Sequence, residues 1–227
     1  MYYIIGDIHG NLKALIGLFR KIMKDFDVVH DTMIFLGDYI DRGNFSFETI
    51  EFLIKISKNI NVIFIKGNHE DMFQNYINSG YSGKIFLYNG GEKTIESYKR
   101  NIGSVTLPES HKFFFDSLVL LYESDDFIAV HAGLDPLYDI DEQKKEKLLW
   151  IRDEFYASPK CWPKTVVFGH TSASIVSGGK TGIYFDDERN IIGIDNGAAY
   201  GRPLACLRLP DRKVYYSNKT GVQNAGR

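Results

Sequence analysis

The chain has 227 residues, of which 44% are apolar, and its formal net charge is −2. This apolar content favours a packed globule over a disordered chain. A charge near zero without a long basic run argues against nucleic acid as a partner, and no apolar stretch is long enough to cross a bilayer. The two cysteines match neither a zinc spacing nor a disulfide framework. Without a repeat or low-complexity linker, we therefore expect one cytoplasmic domain over residues 1–227.

Three short apolar runs in the first half of the chain share one pattern. Each predicts a buried strand, and each is followed by a glycine and then by Asp, His or Asn. Helical spacing of apolar residues follows, and Asn11 is a suitable N-cap for a helix over residues 12–26. The runs are 1–5, 33–36 and 61–65, and their loops are Gly6-Asp7-Ile8-His9-Gly10, Gly37-Asp38-Tyr39-Ile40-Asp41-Arg42-Gly43 and Gly67-Asn68-His69-Glu70.

These three loops are expected to meet at one edge of a sheet. In α/β folds ligands bind at the carboxyl ends of the strands, so three such ends would bring seven polar side chains together. Oxygen and nitrogen ligands without thiols suit a hard or borderline divalent metal. The side chains are Asp7, His9, Asp38, Asp41, Arg42, Asn68 and His69.

The pattern of the second half of the chain predicts mostly strands. Apolar runs lead to polar loops at His131-Ala132-Gly133 and Gly169-His170-Thr171. Further strands are predicted at 118–122, 182–185, 191–194, 204–209 and 214–216. An α/β fold of four α-β-β-α layers satisfies both halves, with two mixed sheets packed face to face and helices outside. Residues 80–110 are predicted to be an insertion, which either caps one side of the site or forms a packed surface subdomain.

The six histidines divide into two groups. Four follow predicted strands in glycine-bounded loops, whereas His30 and His111 do not. A lone histidine is more often a surface or hydrogen-bonded core residue than a ligand, and we interpret His30 and His111 in that way. Four histidines at equivalent positions indicate a shared site instead. They are His9, His69, His131 and His170.

The five loops, in this order, resemble the motifs of the calcineurin-like metallophosphoesterases. Asp41-Arg42-Gly43 and Asn68-His69-Glu70 resemble the phosphoprotein phosphatase form, which includes eukaryotic Ser/Thr phosphatases, bacteriophage lambda phosphatase and many bacterial enzymes. The matches run from Gly6 to Thr171, and Ile194-Asp195-Asn196-Gly197 extends them. Each motif is short, but all five in order on predicted strand ends form a specific signal.

The resemblance implies two divalent metal ions bridged by one aspartate. Manganese is expected, and iron or zinc would also suit this ligand set. The implied reaction is hydrolysis of a phosphate ester by a metal-bridging hydroxide. By the family pattern the first ion is held by Asp7, His9 and Asp38, and the second by Asp38, Asn68, His131 and His170.

The resemblance also implies roles for residues that hold no metal. His69 matches a general acid, and Asp41 matches the carboxylate that orients it, although a turn cap is the alternative for Asp41. Arg42 matches a phosphate-binding arginine, and Asn68 is placed beside it at the substrate. Arg152 is the expected second arginine, with a solvated surface residue as its alternative.

Three functions fit this site. A serine/threonine protein phosphatase is favoured, because Glu70 in the third motif resembles that group; a phosphorylated small molecule is the other substrate class. The first alternative is a symmetrical diadenosine tetraphosphate hydrolase, in which Asp is expected at this position. The second is a non-catalytic scaffold on the same fold. Tyr200 is assigned no role, and Trp150 and Trp162 are interpreted as core or rim aromatics.

Overall fold

The computed structural model describes residues 1–79 and 83–218. The three strands of the first half lie side by side as β1 (Tyr2–Ile5), β2 (Thr32–Phe35) and β3 (Asn61–Phe64). They are parallel, and their register pairs the last residue of each strand with that of its neighbour. Because the strands end level, the loops that follow them emerge at one edge of the sheet.

A second sheet is built from the later part of the chain. Its strand order is β4-β5-β6-β8-β7, with β5, β6 and β8 parallel and the two edge strands antiparallel to their neighbours. The strands are β4 (Leu121–Glu123), β5 (Phe127–Val130), β6 (Thr165–Phe168), β7 (Tyr184–Asp186) and β8 (Ile191–Gly193).

The chain then returns to the first sheet. β9 (Ala205–Leu209) pairs antiparallel with β1, and β10 (Lys213–Tyr216) pairs antiparallel with β9. The first sheet therefore has the order β10-β9-β1-β2-β3. Both sheets are mixed, as predicted.

Helices cover the outer faces of the two sheets. Asn11 caps the first helix, accepting the backbone N–H of Ala14 at 3.3 Å. The helices are α1 (Leu12–Ile22), α2 (Ser46–Ser57), α3 (Asn68–Ser79), α4 (Gly83–Phe86), α5 (Glu92–Ile102), α6 (Glu109–Asp116), α7 (Lys145–Trp150), α8 (Asp153–Tyr156) and α9 (Ala173–Val176).

The alternation of side chains along β1 sets the layers. Ile4 lies between the sheets, where it joins a buried apolar cluster with Val167 of β6. Its neighbours Tyr3 and Ile5 face the other way and pack in the cluster that includes α1 and α2. A third cluster covers the outer face of the second sheet. Successive strand residues point to opposite faces, so the predicted four-layer α-β-β-α fold is confirmed.

The predicted insertion lies against α2. Residues 80–82 fall outside the described chain, and the part from 83 onwards forms α4, an irregular helical turn (Leu87–Gly91) and α5. The Tyr98 side chain of α5 is fully buried, with its ring 5.2 Å from that of Phe47. This segment therefore packs as part of the helical layer. Within the described ranges, no helix has the length and apolar character that a bilayer span requires.

Candidate active site

The loops after the strands hold an unusual backbone conformation. Among the described residues, seven that are not glycine have a positive φ, and five of them lie in the predicted site. For residues with a Cβ such conformations cost about 1–3 kcal/mol each and cluster at functional sites. The five, with φ between 49° and 70°, are His9, Asp38, Asp41, Arg42 and His170.

The carboxylate of Asp38 lies among imidazoles from both sheets. Its Oδ2 is 3.4 Å from Nε2 of His9 and 3.9 Å from Nε2 of His69, and its Oδ1 is 3.4 Å from Nε2 of His131. Ligand atoms of Asp38, His9 and His69 all lie within 4.8 Å of one another, and so do those of Asp38, His131 and His170. Asp38 is therefore shared by two groups that could each hold a metal ion.

The second group contains acceptor atoms that a cation would satisfy. Since a carbonyl only accepts, Nδ1 of His131 donates to the Leu36 oxygen at 2.8 Å, and Nε2 is left as an acceptor facing the Asn68 oxygen at 2.9 Å. Nε2 of His170 is buried and has no hydrogen-bond partner among the described residues. Burial lowers the pKa of His131 and His170. Both imidazoles are therefore neutral near pH 7, as metal ligands must be.

In the first group, His9 has the same hydrogen-bonding pattern and the same direction of pKa shift as His131. Its Nδ1 donates to the Ile40 carbonyl at 3.0 Å, and burial lowers the pKa of His9 well below its usual range. Asp7 accepts the backbone N–H of His170 at 3.0 Å. Burial and the charges of Asp195 and Asp38 raise the pKa of Asp7 well above its usual range. A bound cation would offset this repulsion, so the residues present fit a metal here as well.

His69 differs from the other three imidazoles. Its Nδ1 lies 2.6 Å from Oδ2 of Asp41, and both side chains are buried. Burial acts to lower the pKa of His69, but the Asp38 charge and the hydrogen bond to Asp41 outweigh it, and the pKa is raised. His69 therefore favours its protonated form, which suits a proton donor rather than a ligand.

The two predicted arginines lie on different sides of the imidazole cluster. Nη1 and Nη2 of Arg42 each lie 3.2 Å from an imidazole Nε2, of His9 and His69 respectively. Arg152 donates to the hydroxyl of Thr171 at 3.0 Å and to the carbonyl of His170 at 3.3 Å. Arg42 thus reaches into the site, whereas Arg152 stands beside the His170 loop at its rim.

The insertion supplies a side chain to the site that the sequence did not reveal. The Thr94 hydroxyl of α5 donates to Oδ1 of Asp41 at 2.5 Å and accepts the Asp41 backbone N–H at 2.9 Å. The carbonyl of Gly90 accepts the Arg42 N–H at 3.0 Å. Gly90 has a φ of 96°, and a Cβ there would lie 2.9 Å from Cγ of Arg42, so glycine is required. The insertion therefore packs on α2 and also contacts the second motif.

Replacing Thr94 with valine is expected to weaken turnover of poor leaving groups. The change keeps the shape of the side chain but removes a donor to a buried carboxylate, which is worth about 1–3 kcal/mol, or roughly 5- to 150-fold in rate. Hydrolysis of phenyl phosphate should fall by this factor and that of p-nitrophenyl phosphate by less. We would measure both rates with the metal-loaded protein.

Ser97→Ala is the matched control for this prediction. Ser97 lies one turn further along α5, accepts the Phe47 N–H at 3.1 Å and donates to Glu48 at 2.9 Å, so it joins the same two helices without touching Asp41. An equal loss in the Ser97 variant would mean that the Thr94 effect comes from displacement of α5.

Glu70 has a structural role beneath the second motif. The side chain is fully buried. Its two oxygens accept three backbone N–H groups, those of Asp38 and Gly67 at 2.9 Å and that of Tyr39 at 2.8 Å. A Cβ at Gly67 would lie 2.2 Å from Oδ1 of Asp38, which explains the glycine. Glu70 therefore holds the backbone of the second motif in place, and the preference for a protein phosphatase that rested on this residue stays a prediction.

Sequence reasoning also left Asp195 without a role. It follows β8, is buried, and accepts the Gly197 N–H at 2.8 Å. Burial and the Asp38 charge raise its pKa to about 6, so it is a third carboxylate near Asp7 and Asp38. Its position at a strand end was the available signal.

The predictions for the other two histidines are confirmed. His30 is exposed, and His111 is buried away from the site, with its Nδ1 2.7 Å from the Tyr98 hydroxyl.

Residues 2–197 match the calcineurin-like phosphoesterases. The chain belongs to this family. A solved structure of a protein assigned as a diadenosine tetraphosphatase superposes on the phosphoesterase with a TM-score of 0.74 at 20% identity, covering 97% of this chain and 94% of that one. At this identity the likeness supports the fold alone.

Two kinds of curated relative differ in how much of the phosphoesterase they cover. This chain is 25% identical to a symmetrical bis(5'-nucleosyl)-tetraphosphatase of Vibrio campbellii, and the alignment covers 94% of this chain and 97% of the relative. It is 26% identical to the asymmetrical bis(5'-nucleosyl)-tetraphosphatase PrpE of Bacillus velezensis, over 94% and 90%. Identity to the PP2A-like serine/threonine-protein phosphatase PPG1 of Saccharomyces cerevisiae is 32%, over 63% of this chain and 35% of the relative.

Proposed function

We propose that this phosphoesterase hydrolyses bis(5'-nucleosyl) polyphosphates with two divalent cations. Asp7, His9 and Asp38 would hold the first cation. The second cation would be held by Asp38 together with Asn68, His131 and His170. Manganese is the proposed ion, and iron or zinc would fit the same oxygen and nitrogen set.

One observation carries this proposal: the four imidazoles around Asp38 are not alike. Nδ1 of His9 and of His131 donates to a backbone carbonyl, which leaves Nε2 of each ring facing Asp38, whereas Nδ1 of His69 lies 2.6 Å from the Asp41 carboxylate. The pKa directions agree with this geometry: burial lowers the pKa of His9 and His131, and the nearby carboxylates raise that of His69. A site of this kind can hold cations and still keep one proton available. Two cations supply a nucleophile near neutral pH and charge stabilisation for a phosphate in transfer.

The chain's own groups complete the chemistry around the phosphate. His69 would give its Nε2 proton to the departing oxygen, while Asp41 holds the ring through Nδ1 at 2.6 Å. The Arg42 guanidinium, beside both His9 and His69, offers parallel N–H groups to phosphate oxygens. Arg152 at the rim would meet a more distant phosphate of the same substrate.

The extent of the alignments with the curated relatives supports the proposed substrate class. The tetraphosphatase relatives align over 94% of the chain and at least 90% of their own length. The relatives include enzymes of both cleavage patterns, so the proposal covers either phosphoanhydride position.

A serine/threonine protein phosphatase is the second candidate. The observation in its favour is local: identity rises to 32% in the segment shared with the yeast phosphatase. A non-catalytic scaffold is the weakest of the three, because the imidazoles, Asp38 and the His69–Asp41 pair are all assembled.

A substrate panel tests the choice between the first two. Protein supplemented with Mn²⁺ would be incubated with diadenosine tetraphosphate, with phosphoserine and phosphothreonine peptides, and with a phosphotyrosine peptide. We expect chromatography to show consumption of the dinucleotide, with ADP alone for symmetrical cleavage or AMP and ATP for asymmetrical cleavage. A chelator-treated sample, measured before and after Mn²⁺ is restored, is the control. Phosphate release from peptides with the dinucleotide left intact would contradict the proposal.

A further inference from the structure

Tyr200 places an open aromatic ring at one end of the site. It ends a short turn (Ala198–Tyr200) after β8, held by its N–H to the carbonyl of Gly197 at 2.9 Å. The side chain is 72% exposed. The guanidinium carbon of Arg42 lies 5.7 Å from the ring centroid. The ring therefore lies against the arginine to which the proposed function assigns phosphate binding, and most of the residue is open to solvent.

Trp150 places a second accessible ring beside the site, next to His170. It is the last residue of α7 and is 40% exposed. Its ring centroid lies 6.0 Å from that of His170, with the two planes nearly perpendicular at 85°. Arg152, two residues later, donates to the His170 carbonyl. This end of the site thus repeats the combination of an accessible aromatic ring and an arginine.

The contacts between these two rings form a continuous series across the site. From Tyr200 they pass through Arg42 to His9 and His69, then through Asp38 to His131 and His170, and finally to Trp150. The groups in the middle of this series are cationic or could hold a metal ion, and an exposed aromatic ring stands at each end of the series. This order matches a molecule with charged phosphates in its middle and a flat ring at each end.

We propose that Tyr200 and Trp150 are stacking platforms for the two nucleobases of a dinucleoside polyphosphate. The inference rests on the proposed function and adds the residues that recognise the substrate. Aromatic side chains bind bases through their faces with little dependence on base identity, at about 1–3 kcal/mol for each base. The site would accordingly select the dinucleotide form over a single phosphate ester and discriminate weakly among bases.

Two variants test this role by comparing substrates with and without bases. Tyr200→Ala and Trp150→Ala would be assayed with diadenosine tetraphosphate and with p-nitrophenyl phosphate. Loss of one stacking contact should raise KM for the dinucleotide roughly 5- to 150-fold and lower its kcat/KM relative to that of the aryl phosphate. Tyr200→Phe and Trp150→Phe, which keep a ring, should restore the wild-type KM.

Phe185→Ala is the matched control. Phe185 is also 40% exposed and also lies on an arginine, with Cζ of Arg212 5.9 Å from its ring, but it belongs to β7. Its loss should leave the KM for the dinucleotide unchanged. A matching rise in KM in this variant would overturn the inference.

Other outcomes separate this inference from the proposed function. If wild-type protein cleaves the dinucleotide and the two alanine variants do so with unchanged KM, the stacking role is wrong and the proposed function stands. Equal losses on both substrates would also overturn it, because the rings would then only position Arg42 and His170. If wild-type protein leaves the dinucleotide intact while hydrolysing the aryl phosphate, the proposed function fails, and the inference fails with it.

Discussion

Replacing Asp38 with asparagine is expected to empty both metal positions at once and to lower turnover at least about 1,000-fold. The carboxylate is the one group common to the two potential ligand sets, with Oδ2 3.4 Å from Nε2 of His9 and Oδ1 3.4 Å from Nε2 of His131. An amide has no charge to offset two adjacent cations. Metal content by mass spectrometry and hydrolysis of p-nitrophenyl phosphate would be measured on the same sample.

Asp31→Asn is the control for loss of a buried aspartate. Asp31 is also buried and binds the N-terminal amine at 2.7 Å, away from the site. That variant should lose thermal stability and keep its metal and its rate. If the Asp38 variant retained two ions and full activity, Asp38 could not be the bridge.

Replacing His69 with asparagine is expected to leave the metal in place and to remove the proton donor. General acid catalysis contributes about 10²- to 10⁴-fold, so hydrolysis of phenyl phosphate should fall by this factor. The loss on p-nitrophenyl phosphate should be much smaller, because its leaving group departs as a stable anion. The ratio of the two rates, with metal content measured in parallel, is the readout.

His111→Asn provides a matched histidine control. His111 is also buried and also contacts a carboxylate, with Nε2 2.8 Å from Glu51, but it lies among the helices. Its replacement should lower the melting temperature without changing the ratio of the two rates. An equal loss on both aryl phosphates in the His69 variant would instead assign His69 to metal or phosphate binding, as its distance from Asp38 would allow.

The site was predictable where short-range pattern and sheet topology act together. The apolar runs before Asp7, Asp38 and Asn68 are too short for helices, and parallel neighbours end at a common edge. The order of the motifs then assigned residues of the second sheet, including His131 and His170. The clustering of the first three loops needed only the direction of each strand, whereas the roles of the individual residues came from the family resemblance and stay predictions.

Other parts of the site depend on contacts that no local pattern encodes. Thr94 follows Asp41 by 53 positions, and its hydroxyl meets that carboxylate only because α5 packs on α2. Glu70 resembled a family marker in the sequence, and its actual role depends on complete burial. The sequence alone does not predict which side chains pack together, which are fully buried, or which form a particular hydrogen bond.

Two predicted element boundaries differ from those in the structure, each for a physical reason. The first helix ends at Ile22 and not at Phe26, although Phe26 is buried, so the apolar spacing continues past the last helical turn. The predicted strand from Gly182 begins at Tyr184 instead. Gly182 has a φ of 102°, outside the strand region, and its N–H donates to the Asn196 side chain at 2.9 Å.

The central claim, a pair of cations bridged by Asp38, is tested most directly by anomalous X-ray diffraction. Crystals grown with Mn²⁺ would be measured on both sides of the manganese absorption edge. We expect two anomalous peaks, one next to His9 and Asp7 and the other next to His131 and His170, with the Asp38 carboxylate between them. A single peak, or two peaks that do not share Asp38, would contradict the account.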